Sequence, residues 1–324
     1  MARLMAVANQ KGGVAKTTTV HALGHALSAM GRRVLLVDLD PQGDLTFCAG
    51  VDPASLRSSM YAVMGGTTLA ADARVPLPGK GTLDLLPATF ELFVAEVDLA
   101  PRTGREYALA RALAPLHDGY DFILVDCPPS LGILTVNALT AAHEVVIPSQ
   151  CETLSDRGVA QLLELVGDVR TFTNPALGVR GVIATMFDHH TMHNRSVMAD
   201  FEDRHGVPVL DPPVRKSIRF AEASRVGQCI LEFAPGLPAA DAYRRLARLI
   251  DESTPVDCVG PPLTIGSRVL VRDRFQGSWA LGFHIAGFRG TEYVLRRVSD
   301  DSILPGTFGP DDVRAAPEAL AAWV

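Results

Sequence analysis

Five cysteines are spread through 324 residues, at Cys48, Cys127, Cys151, Cys229 and Cys258, and no two stand at C-x-x-C spacing. Their number is odd, which argues against a disulfide framework and for free thiols in a reducing compartment. An iron–sulfur cluster shared between subunits loses support on the same ground. No apolar run approaches the roughly 20 residues of a membrane-spanning helix. No leader is expected either, since residues 1–9 run straight into a strand pattern, and a cytoplasmic location is expected. There is also no excess of positive charge. With 36 acids against 30 bases the formal net charge is −6, which excludes coating of DNA through bulk charge and leaves only a local basic patch for that purpose. No repeat with a period of roughly 20–50 residues and no low-complexity tract is visible.

What is present is an alternation. Residues 4–8, 33–38, 83–86, 122–126, 144–148 and 179–186 are short apolar runs bounded by turn formers, and they read as buried strands. Between them, residues 17–30 place Val20, Leu23, Leu27 and Met30 on one helical face, and residues 153–172 read as a long helix. The expected fold class is α/β, a mostly parallel sheet flanked by helices with its ligands at the C-terminal ends of strands. The pattern changes near residue 254. A proline-rich stretch at 254–264 predicts a linker between a domain at 1–253 and a second at 265–324. Segments 268–272, 278–285 and 291–298 are of β type and are separated by glycine-bearing turns at 275–277 and 287–290. Through Arg268–Arg272, Gly277–Trp279 and Tyr293–Leu295 this tail resembles small SH3-like or Tudor-like barrels. Trp279, Phe275, Phe283 and Tyr293 are expected mainly in its core.

The most informative segment runs Asn9-Gln10-Lys11-Gly12-Gly13-Val14-Ala15-Lys16-Thr17-Thr18 between a strand and a helix. Glycines there let backbone N–H groups converge on a phosphate without Cβ clashes, and the helix N-terminus adds positive potential. Lys16 is placed to lie along the β- and γ-phosphates, and the Thr17 hydroxyl to face Mg²⁺. Residues 11–18 are therefore the expected ATP cradle. Two further acids end apolar strands: Asp38, within Asp38-Leu39-Asp40-Pro41-Gln42-Gly43, and Asp126, before Cys127-Pro128-Pro129.

The block K-G-G-x-x-K-T, with its extra Lys11, resembles the deviant Walker A loop of the ParA/MinD group of ATPases. The D-x-D-P-Q-G element, residues 130–139 and residues 146–150 also resemble ParA sequence, and the likeness spans about residues 1–250. It implies slow ATP hydrolysis with ATP and Mg²⁺ as cofactors. Lys11 would reach across a nucleotide-sandwich homodimer, Asp40 would orient the attacking water, and Thr17, Asp38 and Asp126 would form the metal side. Lys11, Lys16 and Asp40 are thus the catalytic candidates. Met186 and Pro213 would lie near the base, although the family's proline falls at Arg215 here. Ala15 also departs from the family, which usually has glycine there; alanine fits easily at negative φ and is strained by on the order of 1–2 kcal/mol at positive φ.

The segment Arg215-Lys216-Ser217-Ile218-Arg219 resembles a DNA-contacting stretch of ParA relatives. Arg195, Arg215, Lys216 and Arg219 are the candidate contacts to DNA, made to phosphates and without sequence preference. The implied partners are nonspecific DNA, a second copy of the chain, and a ParB-like or cargo adaptor protein that stimulates hydrolysis, on the nucleoid and without a membrane. Two other readings stand beside this one. A MinD-like membrane cycle would require a C-terminal amphipathic helix that the tail does not spell out. A scaffold with bound ATP and little turnover would require no hydrolytic machinery. His21 and His25, four apart on a helix, have metal-ligand spacing, but the sequence offers no third ligand and a packed pair is expected. His189, His190 and His193 form a second cluster, read as loop residues near the base.

Overall fold

The structure is a computed structural model that describes residues 2–79, 81–150, 155–187, 201–202, 206–253, 265–272, 279–289, 292–309 and 312–315. The chain divides into two compact units, Met1–Cys258 and Val259–Val324.

The first unit is built on eight strands: β1 (Arg3–Val7), β2 (Val34–Asp38), β3 (Val75–Pro76), β4 (Leu83–Leu86), β5 (Phe122–Asp126), β6 (Glu144–Gln150), β7 (Gly178–Thr185) and β8 (Val209–Leu210). They pair in the order β3-β4-β2-β5-β1-β6-β7-β8, parallel throughout except for the short edge strand β3. Full burial on both faces explains why the central strands β2 and β5 read as apolar runs up to their closing acids. Successive residues point to opposite faces. Leu4, Ala6, Leu35, Val37, Ile123 and Val125 enter one core, while Met5, Val7, Val34, Leu36 and Leu124 enter the other.

The first core is closed by helices that include Ile133–Ala141 and Ser155–Phe172, and the second by α1 (Lys16–Ala29) and Pro238–Glu252. Val20, Leu23 and Leu27 of α1 meet Tyr243, Leu246 and Ile250 of the last helix. The fully buried Tyr243 hydroxyl finds its partner in Thr19 Oγ1 at 3.0 Å, as a buried phenol must. At the opposite end of the sheet, Glu144 is fully buried between Arg3 and Arg180. Arg3 also donates to the carbonyls of Ile250 (2.6 Å) and Ser253 (2.8 Å), satisfying the exposed end of the last helix.

The second unit carries an antiparallel sheet of order β11-β10-β9-β12, from β9 (Arg268–Arg272), β10 (Trp279–Arg289), β11 (Glu292–Arg297) and β12 (Val313–Ala315). Val269, Val271, Ile285, Leu295 and Val313 form its core, with Phe283 and Tyr293 packed against it. Phe275 and the Trp279 side chain lie outside the described residues, as does the predicted linker at 254–264. One expectation needs correcting. The glycine at 287 does not open a turn; β10 runs on to Arg289, and Gly287 sits at a register shift against β11. A bulge tolerates glycine as readily as a turn does. Among the described residues no helix is long and apolar enough to cross a membrane.

Candidate functional site

Parallel register brings three strand ends together. Val7 of β1 and Asp38 of β2 both stand level with Asp126 of β5. The loop at residues 9–15 therefore emerges beside Asp126, with Asp38 one strand further along the sheet, before turning into α1.

Neighbouring strands hold that loop by its side chains and carbonyls. Asn9 Nδ2 donates to the Pro148 carbonyl (2.8 Å) and Asn9 Oδ1 accepts from the Lys11 N–H (3.0 Å). Gln150 Nε2 donates to the Gly13 carbonyl (3.1 Å), and Thr185 Oγ1 to that of Val14 (3.0 Å). Helix Ser155–Phe172 crosses close by, since a Cβ at Gly158 would stand 3.2 Å from Asn9 Oδ1. The carbonyls are thus tied outward, while no acceptor within the described residues takes the N–H groups of Gly12, Gly13, Val14 or Ala15. A run of unpaired N–H groups ahead of a helix N-terminus is an anion cradle. Gly13 has φ 73°, and Ala15 has φ 68° and ψ 34°. Of the two outcomes left open for Ala15, the left-handed one is realised.

Lys16 is buried and donates from Nζ to the Lys11 carbonyl at 3.3 Å. Burial holds its pKa below the usual lysine range, while the charges of Asp126 and Asp40 pull it back. Lys11 reaches Gln150 Oε1 at 3.4 Å and is only partly buried.

The acids differ sharply. Asp38 is pushed up to about 7 by burial, although Thr46 donates to its Oδ2 from N–H (2.8 Å) and hydroxyl (2.6 Å), and the Asp40 N–H to its Oδ1 (3.3 Å). Asp40 accepts from the Gln42 N–H (3.0 Å), and burial raises its pKa too. Asp126 is fully buried, and burial and the Asp38 charge raise its pKa well above the carboxylate range, with Thr17 beside it as a weaker opposing influence. Neither Asp126 oxygen has a partner within hydrogen-bonding geometry. An orphaned carboxyl beside the Thr17 hydroxyl and a buried lysine fits a hydrated divalent cation on a polyphosphate. ATP with Mg²⁺ is the cofactor pair that this donor set fits. Thr17 and Asp126 could hold the metal side. Asp38 is already engaged by Thr46, a residue with no sequence signal because it lies eight positions on, in helix Asp44–Cys48.

Met186 follows β7 at φ 51°, and its sulfur lies 2.9 Å from Gln150 Nε2, at the rim of the loop. Pro213 stands next to Val214, whose N–H donates to the Ala184 carbonyl (2.7 Å), so it shares that rim. Arg215 bridges to Phe187 and, with Lys216, is exposed. Arg219 opens helix Arg219–Arg225, pairs with Glu222 at 2.7 Å and lies over the Phe233 ring. Arg195, His189, His190 and His193 lie outside the described residues. His21 and His25 are buried in α1; burial and His25 push His21 down to about 3.

A family model described as an AAA domain (AAA_31) matches residues 2–179. The chromosome partitioning protein ParA of Caulobacter vibrioides is 40% identical over 250 residues, covering 76% of this chain and 92% of that one. The sporulation initiation inhibitor protein Soj of Bacillus subtilis is 40% identical over 252 residues, covering 76% and 98%. A Mycobacterium smegmatis structure, described as cobyrinic acid a,c-diamide synthase with bound ADP and magnesium, superposes with a TM-score of 0.69 at 46% identity, covering 81% and 100%. With the phosphate loop and its carboxylates in place, these likenesses define the class as P-loop ATPases. The chain belongs to the AAA_31 family and, within it, to the ParA-type partition ATPases.

Proposed function

We propose that the chain is an ATP-switched positioning protein, whose ATP-bound homodimer holds nonspecific DNA of the nucleoid and lets go after hydrolysis. The observation that carries this reading is the convergence of Lys16, Asp40 and the unpartnered Asp126 on a loop of unpaired N–H groups. When bound, ATP with Mg²⁺ supplies the phosphoryl group that is transferred to water. Lys16 neutralises the β- and γ-phosphates, Thr17 and Asp126 keep the cation, and Asp40 orients the water. Asp38 holds Asp40 in place from behind. Lys11 leaves Gln150 to reach the phosphates of the second copy, which makes the dimer depend on nucleotide. A ParB-like or cargo adaptor protein raises the turnover rate.

The DNA side follows from position. Arg215, Lys216 and Arg219 lie on the segment that runs from the rim of the nucleotide loop into helix Arg219–Arg225. That helix packs against Asp44–Cys48, the element that follows Asp40. A change at Asp40 therefore has a short mechanical route to the basic segment.

The test compares DNA binding with ATP-Mg²⁺, with ADP-Mg²⁺ and without nucleotide, at two salt concentrations. The expected result is tight binding with ATP alone, falling steeply with salt as counterions return to the phosphates, and weakened by Arg219→Glu without loss of the dimer. Equal affinity in all nucleotide states would overturn the DNA reading. Under the activity named for the M. smegmatis structure, DNA would leave ATP turnover unchanged, and the same samples report that.

A further inference from the structure

The folded chain supplies the third ligand that the sequence withheld. His21 and His25 stand one turn apart on α1, and Cys229 is brought beside them from 204 positions beyond His25 as the residue preceding helix Ile230–Phe233. One ligand atom from each, two imidazole nitrogens and the thiol sulfur, lie within 4.8 Å of one another. All three residues are buried. Within the described residues neither ring nitrogen of His21 makes a hydrogen bond; its ring packs edge-on against that of His25 at 4.7 Å between centroids. His21 also lines a small recess together with Cys229. The Nδ1 of His25 lies 3.5 Å from a Glu232 carboxylate oxygen. That pairing fixes the ring and leaves Nε2 as the free donor, the outer arrangement common to metal-bound histidines.

We propose that His21, His25 and Cys229 form a binding site for one zinc-class divalent metal ion, with Glu232 positioning His25. Tetrahedral zinc with bonds of about 2.0–2.3 Å sets its ligand atoms roughly 3.3–3.8 Å apart, so the cluster has at most ~1.5 Å to close. Side-chain rotation on α1 covers that distance. Thiolate and imidazole are the ligands that favour zinc over Mg²⁺, so this site and the nucleotide site do not compete for one ion. Binding deprotonates Cys229, and its proton goes to solvent. Ser224 and Cys48 line the small recess next to His21 and Cys229, from which solvent supplies the fourth ligand. The ion ties α1, whose first residues are Lys16 and Thr17, to the segment that follows helix Arg219–Arg225. It is thus a clamp between the nucleotide helix and the basic segment, not a group that touches the reaction.

The test uses the full chain, stripped with a chelator and kept in excess Mg²⁺, titrated with Co²⁺ as a spectroscopic stand-in for zinc. The expected result is a thiolate-to-cobalt charge-transfer band that saturates at a single equivalent and is abolished by Zn²⁺. Cys229→Ser should remove the band, Cys48→Ser should leave it, and Glu232→Gln should weaken binding about 10–100-fold. His21→Gln, with ATP binding checked as a measure of folding, covers the case in which Cys229→Ser fails to fold. A wild-type protein with no band, or a Cys229→Ser protein with the wild-type band, overturns the proposal.

Discussion

Ala15 sits at φ 68° in the turn that aims the phosphate loop, a conformation that costs an L-residue about 1–2 kcal/mol. The turn is held from three sides by Asn9, Gln150 and Thr185, so the strain is imposed by the surroundings and not relieved locally. Ala15→Gly removes it, while glycine's extra freedom in the unfolded chain returns about 0.4–1 kcal/mol. The net expectation is a stabilisation of roughly 0–1.6 kcal/mol, seen as a melting temperature raised by up to about 6 °C; a lowered melting temperature would contradict the strain. Lys16→Ala should behave differently. The fold has little need of a charge that burial already disfavours, but the β- and γ-phosphates lose their cation. Fluorescence titration should find nucleotide binding abolished, and unchanged affinity would remove the phosphate-loop assignment.

Between elements, one close approach is backbone to backbone. The turn after helix Asp44–Cys48 and the turn after helix Arg219–Arg225 meet at Gly50 and Gly227, where a Cβ on Gly227 would stand 2.6 Å from the Gly50 Cα. Gly227 also has φ 65°. Gly227→Ala should therefore destabilise by at least about 2 kcal/mol through overpacking and strain together, and it should loosen the link between Asp40 and the basic segment. Calorimetry checks the first effect and ATP-dependence of DNA binding the second; a wild-type melting profile would count against the close packing. These contacts explain what was legible in the sequence. Strand Phe122–Asp126 is visible to the residue because burial on both faces leaves only apolar residues ahead of its closing acid. The candidate nucleotide residues were legible as a motif, since a cradle for phosphate tolerates few residue types in few spacings. Thr46, Gln150 and Cys229 were not. Each acts by contact with a residue remote in the chain or off the motif, and spacing carries no trace of such contacts. Gly287 misled for a related reason, because a bulge and a turn ask for the same residue.

For the molecule as a whole, the Met1–Cys258 unit contains every residue of the nucleotide site, and its last helix is fastened to β1 through Arg3 and the carbonyls of Ile250 and Ser253. A chain ending at Thr254 keeps those bonds. We propose it as a folded, ATP-binding and DNA-binding core, with Val259–Val324 as a module whose surface recruits a partner or cargo. Among the described residues its core is made of valine, isoleucine and leucine from β9–β12. The truncated protein should keep basal ATP turnover but lose its specific position in cells, as read by fluorescence microscopy. A truncation that does not fold, or does not dimerise with ATP, would make the second unit an integral part of the ATPase.

The central claim is that Asp40 and Lys11 turn a bound nucleotide into a switch between one subunit and two. Light scattering of Asp40→Ala with ATP-Mg²⁺ tests it most directly. Asp40 is tied to Asp38 through its own N–H and to Gln42 through its carboxylate, so its loss should spare the cradle and remove only the group that orients water. The predicted result is a persistent dimer with no phosphate release, whereas Lys11→Ala gives a nucleotide-bound monomer. An Asp40→Ala monomer that still turns over ATP would contradict the account.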